Sequence, residues 1–280
     1  ERMDKDMVLR GMAVRTRESY LWAVAGLAKH YRRSPDQLTE REVQDYLLYL
    51  IEERKLAWSS CNIVTQALKF FYHVTVKHPA AQFSIPRRRA PSRLPQILSR
   101  EEVQRLIETT THAKHRALLM TTYGAGLRVS EVVHLKVGDI DADRMAIRIE
   151  QGKGAKDRYG LLSARLLAEL RSYWRLYRPR EWLFPKSRTP HEPMNDTTAQ
   201  KIFYRAMRRA RITKRCGIHG LRHAFATHLL ESGVDVHTIQ RLLGHGHLST
   251  TLRYFHLAQK DLTQTRSPLD LLPLVRPPNP

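Results

Sequence analysis

The stretch HGLRHAFATHLLESGVDVHTIQRLLGHGHLSTTLRYFHLA, residues 219–258, is typical of successive helices separated by glycine stops. Apolar side chains recur at helical spacing on both sides of Gly233 and Gly244, the two residues expected to end helices. His219 and Arg222 are three positions apart, so an imidazole and a guanidinium share one face of the first helix. The stretch therefore predicts a helical domain with a cationic polar face.

The sequence that precedes this stretch is also mainly helical, with one change of period. Ser99 and Glu102 have the spacing of a capping box and predict the start of a helix. Met145, Ile147 and Ile149 alternate with other residues as in a strand, and a turn then leads to a second short strand. The turn is expected at 152–157, the second strand at 158–162, and helices at 113–123, 129–135, 163–177, 196–210, 219–232, 235–243 and about 249–258.

The first 78 residues predict a separate helical bundle. Apolar residues follow helical period over 14–33, and Thr39 and Glu42 form a T-x-x-E capping box for a second helix. A third helix is expected from Ser59 or Ser60 to Val74. A chain of 280 residues is long enough for two domains of ~100–200 residues each. The expected architecture is mainly α with a small β-hairpin or sheet, in two domains.

Both halves of the chain carry excess positive charge. The formal net charge is +21; residues 1–95 contain 17 basic and 10 acidic side chains, and residues 96–280 contain 31 and 17. Between Asp196 and Glu231 there is no acidic residue. This distribution favours a polyanionic partner, most simply nucleic acid, although ribosomal, heparin-binding and membrane-surface proteins share such charge.

A basic, proline-rich segment, residues 79–96, joins the two predicted domains. Its four prolines exclude a continuous helix, and it contains no acidic residue. Such a segment is either a solvated hinge or a length of chain that follows a phosphate backbone. Its candidate phosphate contacts are Arg87, Arg88, Arg89 and Arg93.

Composition also argues against membrane and disulfide-rich classes. Apolar runs fall short of the ~18–20 residues that span a bilayer, and the first residues contain no hydrophobic signal region. Cys61 and Cys216 are too few and too widely separated for a disulfide framework or a CxxC metal knuckle. We expect a cytoplasmic protein with no membrane association.

Two patterns superficially fit metal sites. The residues at 139, 141, 143 and 150 occupy four positions of a calcium-loop template, but Arg144 replaces the required glycine and a strand follows. His219 and His223 are four positions apart but lack the glutamate of H-E-x-x-H, and Arg222 places a cation beside them. We therefore expect no metal ion and no cofactor.

Four separated motifs, in this order, resemble the tyrosine recombinases, the phage-integrase and Xer class. They are GLRVSE at 126–131, GKGAKDR at 152–158, HGLRHAFATH at 219–228, and LGH at 243–245 followed nine positions later by Tyr254. The resemblance extends to the bundle at 14–78, which is similar to the core-binding domain of the family. The ending RSPLDLL, 266–272, is similar to that of integron integrases, whereas the interval between Lys153 and His219 lacks room for the additional helix of that subgroup.

The resemblance implies a site-specific recombinase or integrase with a tyrosine nucleophile. Tyr254 would attack a DNA phosphodiester and keep the 3′-phosphate covalently while a 5′-hydroxyl leaves, without metal or ATP. A phenol with a pKa of ~10 needs neighbouring cations and a base to react at neutral pH. Arg128 and Arg222 would bind the non-bridging oxygens, since guanidinium groups donate bidentate, permanently charged hydrogen bonds to the transition state.

The remaining roles concern proton transfer. Lys153, at the tip of the predicted hairpin, matches the general acid of the family, and Lys156 is the local alternative and a candidate DNA contact. His219 and His245 would assist proton transfer and hold the phosphate, because imidazole titrates near working pH. His247 is the alternative to His245, seven rather than nine positions before the tyrosine.

The resemblance also implies an organisation and an assembly. Residues 1–78 form the SAM-like core-binding domain, 79–96 the linker, 97–261 the catalytic domain, and 262–280 a leucine-rich C-terminal tail. A homo-tetramer would exchange strands between two duplex DNA sites through a Holliday junction, with the tail docked on a neighbouring protomer or, alternatively, in cis. A monomeric type IB topoisomerase and a DNA-binding accessory protein with an inactive site are the competing functions; the presence of all six catalytic residue types disfavours the second.

Overall fold

The computed structural model describes residues 1–78, 96–150 and 157–252. The chain divides into two compact units, Glu1–Ser92 and Arg93–Pro280. Each unit has its own buried core, which includes Leu27 and Leu68 in the first and Leu118 in the second. Both units are mainly helical, and the second contains a small antiparallel sheet. The fold class predicted from the sequence is confirmed.

The first unit contains one helix that the sequence pattern did not reveal. The short N-terminal helix buries Met3 and Met7, and two apolar positions one turn apart are too few to establish a period. The third predicted helix begins at Trp58 and changes to a wider π-helical turn after Phe70, so it is not one uniform α-helix. The helices are α1 Arg2–Leu9, α2 Val14–Tyr31, α3 Glu40–Glu52 and α4 Trp58–Phe70, followed by the π turn Phe71–Val76.

Both predicted capping boxes are present. The Thr39 hydroxyl accepts a hydrogen bond from the backbone N–H of Glu42 at 3.3 Å, and the Glu42 carboxylate accepts one from the backbone N–H of Thr39 at 2.8 Å. Ser99 and Glu102 make the same pair of contacts at 3.2 and 2.7 Å. Each box satisfies two of the backbone N–H groups that a helix start leaves unpaired.

The second unit contains a three-stranded antiparallel sheet, which buries Ile147 and Ile149 on one face and exposes Tyr159 and Leu161 on the other. The strands follow the order β1-β2-β3, and Ile147 on the central strand pairs with Gly160 on the third. The strands are β1 Ile140–Asp141, β2 Ala146–Ile149 and β3 Arg158–Leu161. The helices are α5 Arg100–Glu108, α6 Ala113–Gly124, α7 Val129–Val133, α8 Ala164–Tyr177, α9 Asp196–Arg209, α10 His219–Glu231, α11 Val236–Leu243 and α12 Leu248–Leu252.

Two details of the predicted hairpin are wrong. Ile147 and Ile149 are buried as the alternation indicated, but Met145 is 38% exposed and has a φ of +51°, because it closes the turn before β2 instead of extending the strand. The segment before the hairpin, for which no strand is expected from the sequence, includes a further strand, β1. Asp139 in that segment is buried and accepts a hydrogen bond from the backbone N–H of Lys136 at 2.8 Å.

The helices that carry the site end at the predicted glycines. Gly233 follows α10 with a φ of +87°, and Gly244 caps α11 with a φ of +62°. Asp235 begins α11, where its carboxylate accepts hydrogen bonds from the backbone N–H groups of His237 and Thr238 at 3.0 and 2.9 Å. These stops fix the spacing between His219, Arg222 and His245.

In the part of the chain that the structure describes, no helix is both long and apolar enough to cross a bilayer. Within the same ranges, no cluster of three or more histidine, cysteine or acidic side chains is arranged to hold a metal ion. Cys61 is a buried free thiol and Cys216 a partly buried one.

Candidate active site

Arg128 is positioned by a tight approach between two helices. The chain leaves α6 through Gly126, which has a φ of +61°, and Arg128 then forms the N-cap of α7. A Cβ atom on Gly126 would lie only 2.4 Å from the ring of Phe225 on α10. Only glycine therefore fits between α6 and α10 at this point.

Arg222 is almost completely buried, with 1% of its surface exposed. Its Nη1 atom donates a hydrogen bond to the carbonyl oxygen of Gly126 at 2.7 Å, and its Nη2 atom donates one to the carbonyl oxygen of Leu243 at 2.6 Å. The guanidinium group thus joins the loop before α7 to the end of α11. These contacts hold Arg222 in one orientation, which is a requirement for preorganised anion binding.

Glu131 connects the arginines of the site. Its carboxylate accepts hydrogen bonds from the backbone N–H of Arg128 at 2.8 Å and from the Arg128 guanidinium at 2.6 Å. Arg158 binds the same carboxylate through both terminal nitrogens at 2.8 and 2.7 Å, and Nη1 of Arg222 lies 3.6 Å from it. One acidic side chain therefore orients three guanidinium groups from α7, β3 and α10.

The surroundings of Glu131 keep it ionised. Burial raises the pKa of this carboxyl group, but hydrogen bonds and charge from Arg158, with further contributions from Arg128 and Arg222, lower it to about 2. The Glu131 side chain is only 7% exposed, so the cluster excludes most solvent. With three guanidinium groups and one carboxylate, the cluster retains excess positive charge.

All three guanidinium nitrogens of Arg158 donate hydrogen bonds. Besides binding Glu131, its Nε atom donates a hydrogen bond to the carbonyl oxygen of Leu242 at 3.0 Å. A Cβ atom on Gly244 would lie 2.8 Å from Cδ of Arg158, so the glycine at the end of α11 makes room for the arginine stem. Arg158 ties the sheet to the helix that precedes His245.

The two candidate histidines lie beside this cluster. Desolvation, followed by repulsion from nearby cations that include Arg222 and Arg128, lowers the pKa of both His219 and His245 to about 4. His219 is exposed at the edge of the site, and its ring lies 4.5 Å from that of His223. Both imidazoles are neutral at pH 7, and a bound phosphate would shift their pKa upward.

The structure distinguishes His245 from His247. Nδ1 of His245 lies 2.9 Å from the hydroxyl oxygen of Thr251 on α12, and the His245 carbonyl accepts a hydrogen bond from Gln240 at 3.0 Å. His247 is exposed. His245 lies close enough to Arg128 and Arg222 for their charge to lower its pKa.

The structure brings together four of the predicted site residues, namely Arg128, His219, Arg222 and His245. Glu131 and Arg158 join them but were not singled out from the sequence, although both stand inside motifs quoted for the resemblance. The available signal was the i,i+3 spacing of Arg128 and Glu131 at a helix start. The other predicted site residues lie outside the described residues: Lys153, Lys156, Tyr254, Arg87, Arg88, Arg89 and Arg93.

Comparison with known families assigns the chain. Residues 96–261 match the phage integrase family, and residues 1–82 match the N-terminal SAM-like domain of phage integrases. The chain belongs to the phage integrase family. The family assignment that the four motifs predicted is confirmed.

Relatives of this integrase-family protein align over most of their lengths. The integrase/recombinase y4qK of Sinorhizobium fredii is 46% identical to this chain, over 100% of this chain and 91% of its own length. An integrase/recombinase of Escherichia coli is 35% identical over 93% of this chain and 90% of its own. The tyrosine recombinase XerA of Pyrococcus furiosus is 37% identical over 82% and 81%. The chain is a tyrosine-type site-specific recombinase.

Solved structures agree with this assignment. A crystal structure of XerA recombinase aligns with 94% of this chain and 94% of its own, with a TM-score of 0.57 and 28% identity. A lambda integrase dimer bound to a COC′ core site aligns with 88% of this chain and 93% of its own, with a TM-score of 0.69. At 18% identity, the second comparison concerns the fold alone.

Proposed function

We propose that this recombinase clamps duplex DNA and exchanges strands between two sites through a 3′-phosphotyrosyl intermediate on Tyr254. The observation that carries the proposal is the carboxylate of Glu131, which orients Arg128, Arg158 and Arg222 beside two neutral histidines. A phosphodiester in the transition state gathers charge on its non-bridging oxygens. Rigid guanidinium groups with excess positive charge would stabilise that state.

Charge and relatives both support DNA as the substrate. The net charge of +21 is spread over both halves of the chain, as expected of a protein whose two units contact one polyanion. Structural neighbours include the lambda integrase dimer on its core site and XerH bound to a difH substrate. We propose that Arg87, Arg88, Arg89, Arg93 and Lys156 contribute phosphate contacts, which position the protein without reading the bases.

The proposed roles follow from the chemistry of each side chain. Arg128 and Arg222 bind the non-bridging oxygens, and Tyr254 supplies the attacking oxygen. His219 and His245 hold the phosphate and assist proton transfer, since a neutral imidazole donates a hydrogen bond at one nitrogen and can accept at the other the phenolic proton that Tyr254 releases on attack. Lys153 donates the proton that the departing 5′-oxygen requires. No step in this scheme uses a metal ion or a nucleotide.

A nicked suicide duplex that contains the cognate site tests the function. Cleavage releases a short fragment that cannot religate, so a covalent protein–DNA adduct should accumulate in the presence of EDTA. Its phosphate should map by mass spectrometry to the peptide that contains Tyr254. Strict dependence on a divalent ion would contradict the proposal. An adduct without recombinant product from two sites would instead favour a type IB topoisomerase.

The role of Lys153 is tested with a substrate that needs no general acid. In a 5′-bridging phosphorothiolate, the leaving sulfur departs without protonation. We expect this substrate to restore most of the cleavage lost in Lys153→Ala, but not that lost in Arg128→Ala, since the guanidinium acts on the non-bridging oxygens. The measurement is the single-turnover cleavage rate.

Lys156→Ala is the matched control for Lys153→Ala. It alters a neighbouring lysine of the same motif that is proposed only to contact a phosphate, so at saturating DNA concentration its single-turnover cleavage rate should fall little. If the phosphorothiolate rescued Lys156→Ala rather than Lys153→Ala, the roles would be exchanged. Equal rescue of Lys153→Ala and Arg128→Ala, or of neither, would remove the general-acid assignment.

We further propose a homo-tetramer held together in part by the C-terminal tail, residues 262–280. The tail carries several leucines that need a surface to cover them, and it lies outside the described residues. The second unit contains a groove of about 480 Å³ that offers such a surface. Its apolar lining includes Val103, Ile107, Met120, Leu161, Phe225 and Leu229.

Truncation after Ala258 tests the tail. We expect single-site DNA binding to stay within a few fold, because the cationic surfaces remain, while the synaptic complex and recombinant product disappear. Met120→Glu should reproduce this loss of synapsis by placing a charge in the groove. Gel-shift and recombination assays separate the two activities. Normal synapsis by the truncated protein would contradict docking in trans, and a lower melting temperature of the truncated monomer would favour docking in cis.

The cellular setting proposed for the recombinase follows from its substrate. The integrase/recombinase names of its relatives favour the movement or integration of a mobile DNA element. In a cell without a nucleus, the DNA substrates of such a reaction lie in the cytoplasm. We therefore place the protein there.

A further inference from the structure

The second unit contains a separate polar cavity at the opposite end of α6 from Arg128. Its volume is about 230 Å³. The cavity lies next to the first residues of α6 and the last residues of α9. α6 has 12 residues, which corresponds to a length of about 18 Å. The polar residues that line the cavity are Thr110, Thr111, His112, His115, Arg205 and Arg209.

α9 runs from this cavity to the start of α10, which carries His219 and Arg222. Gln200, in the first half of α9, accepts a hydrogen bond from the backbone N–H of Ile218 at 3.3 Å, immediately before α10. Arg209 is the last residue of α9, nine positions further on, which is about 13 Å along the helix. The cavity is therefore distinct from the cluster around Glu131.

All the ionisable side chains that line the cavity are basic. Arg205 and Arg209 are one turn apart on the same face of α9. The rings of His112 and His115 stack with their centroids 4.1 Å apart and their planes 16° apart, and Tyr177 stacks on His112 at 5.9 Å. Among the described residues that line the cavity there is no carboxylate.

The pKa of His115 is lowered first by burial and then by this unbalanced charge. Desolvation, followed by repulsion from His112, Lys114, Arg205 and Arg209, lowers its pKa to about 4. The adjacent Arg116 is already paired with Glu169 at 2.8 Å, so that carboxylate is engaged elsewhere. An anion in the cavity would relieve the repulsion.

We propose that this cavity binds the terminal phosphate of a small molecule. Two guanidinium groups one turn apart suit a tetrahedral oxyanion, since arginine donates to phosphate in a bidentate manner. The cavity has a buried floor, formed by Thr110, Ile202 and Ala206, below the exposed Arg205 and Arg209 at its rim. A phosphate monoester is small enough to enter a cavity of this volume, whereas the phosphodiesters of a duplex lie along a continuous convex surface. The site is independent of the recombination chemistry, because none of its residues belongs to the cluster around Glu131.

NMR titration of the full-length protein with inorganic phosphate tests the proposal. The imidazole signals of His112 and His115 should move in a saturable manner with a Kd of ~1 mM or lower, while sodium chloride at equal ionic strength should not reproduce the change. The pKa of His115 should rise on saturation, because a bound anion favours the protonated ring. The absence of a saturable shift at ~20 mM phosphate would overturn the proposal.

A pair of charge-matched variants separates a defined site from general basicity. Arg205→Gln with Arg209→Gln should weaken phosphate binding at least ~10-fold, as expected when charge-assisted hydrogen bonds are removed. Arg171→Gln with Arg175→Gln removes the same charge from an exposed i,i+4 pair on α8 and should change binding less than ~2-fold. Equal effects of the two pairs would show that only net charge matters, which contradicts a site.

The source of the phosphoryl group is distinguished by three further ligands. Deoxynucleoside monophosphate and a 5′-phosphorylated oligonucleotide should shift the histidine signals, because both present a phosphate monoester. A blunt duplex without terminal phosphates should not. If that duplex shifted the signals as strongly, the surface would be a DNA backbone contact and the small-molecule proposal would be wrong.

Discussion

Replacement of Tyr254 by phenylalanine is expected to abolish the covalent protein–DNA adduct. The change removes only the phenolic oxygen, so the nucleophile is lost while the ring is kept. Cleavage of the suicide duplex should fall below detection, and DNA affinity in a gel shift should remain within about twofold, because the cationic surfaces are unchanged. The measurement is denaturing electrophoresis of end-labelled DNA.

Tyr177→Phe provides the matched control for Tyr254→Phe. Tyr177 is exposed at the end of α8, so its hydroxyl should contribute nothing to cleavage. An adduct that persists in Tyr254→Phe would exclude Tyr254 as the nucleophile. Loss of the adduct in both variants would point to a general effect of removing a tyrosine hydroxyl.

The second large effect is expected from Glu131→Ala. Removal of this carboxylate leaves the guanidinium groups of Arg128, Arg158 and Arg222 close together without a counter-charge. Loss of one partner from a buried ion pair typically lowers the free energy of unfolding by about 3–5 kcal/mol. Cleavage should fall roughly 100-fold, the upper range for residues that orient others at a reaction centre.

The matched control alters an ion pair outside the cluster. Glu169 binds Arg116 at 2.8 Å on the partly exposed face between α6 and α8, so Glu169→Gln should lower the free energy of unfolding by at most about 1 kcal/mol. Chemical denaturation and single-turnover cleavage measure both effects. If Glu131→Ala lowered the free energy of unfolding and the cleavage rate no more than Glu169→Gln does, the central role of Glu131 would be wrong.

The contribution of Glu131 should also depend on pH. The folded-state pKa of about 2 lies below the ordinary value of 4.5, so stability linked to this group is fully present above pH 4.5 and is lost as the pH falls towards 2. The shift corresponds to roughly 3 kcal/mol. The difference in unfolding free energy between wild type and Glu131→Gln should therefore shrink below pH 4.5. A constant difference would contradict the linkage.

Local chemistry made much of the fold predictable. The capping boxes at Thr39 and Ser99 and the stops at Gly233 and Gly244 are each determined within a few residues, so sequence spacing alone locates them. The sequence does not predict α1, because this helix buries only two side chains, and it does not predict β1, because two residues cannot show alternation. Met145 was misplaced because its positive φ is unusual for a residue without glycine's freedom.

The site was only partly predictable, for a different reason. Arg222 shares a helix face with His219, and that relation can be read from spacing. The cluster around Glu131 cannot, because Arg158 and Arg222 reach it from 27 and 91 positions away along the chain. Such convergence depends on tertiary packing, including the close approach of Gly126 to Phe225. The sequence therefore identifies Arg128, His219, Arg222 and His245 as site residues but does not single out Glu131 and Arg158, which join them in the structure.

The buried hydrogen bonds of Arg222 affect which substitutions can accumulate when a recombinase of this kind loses its activity. Because the guanidinium group braces the carbonyls of Gly126 and Leu243, a substitution there would damage folding as well as chemistry. A substitution of the proposed nucleophile Tyr254 by phenylalanine would remove the phenolic oxygen and keep the ring. In copies of the gene that lose recombination activity, we therefore expect the tyrosine to be lost before the buried arginine. If the proposed tetramer forms, the same reasoning makes Tyr254→Phe the variant expected to act as a dominant negative.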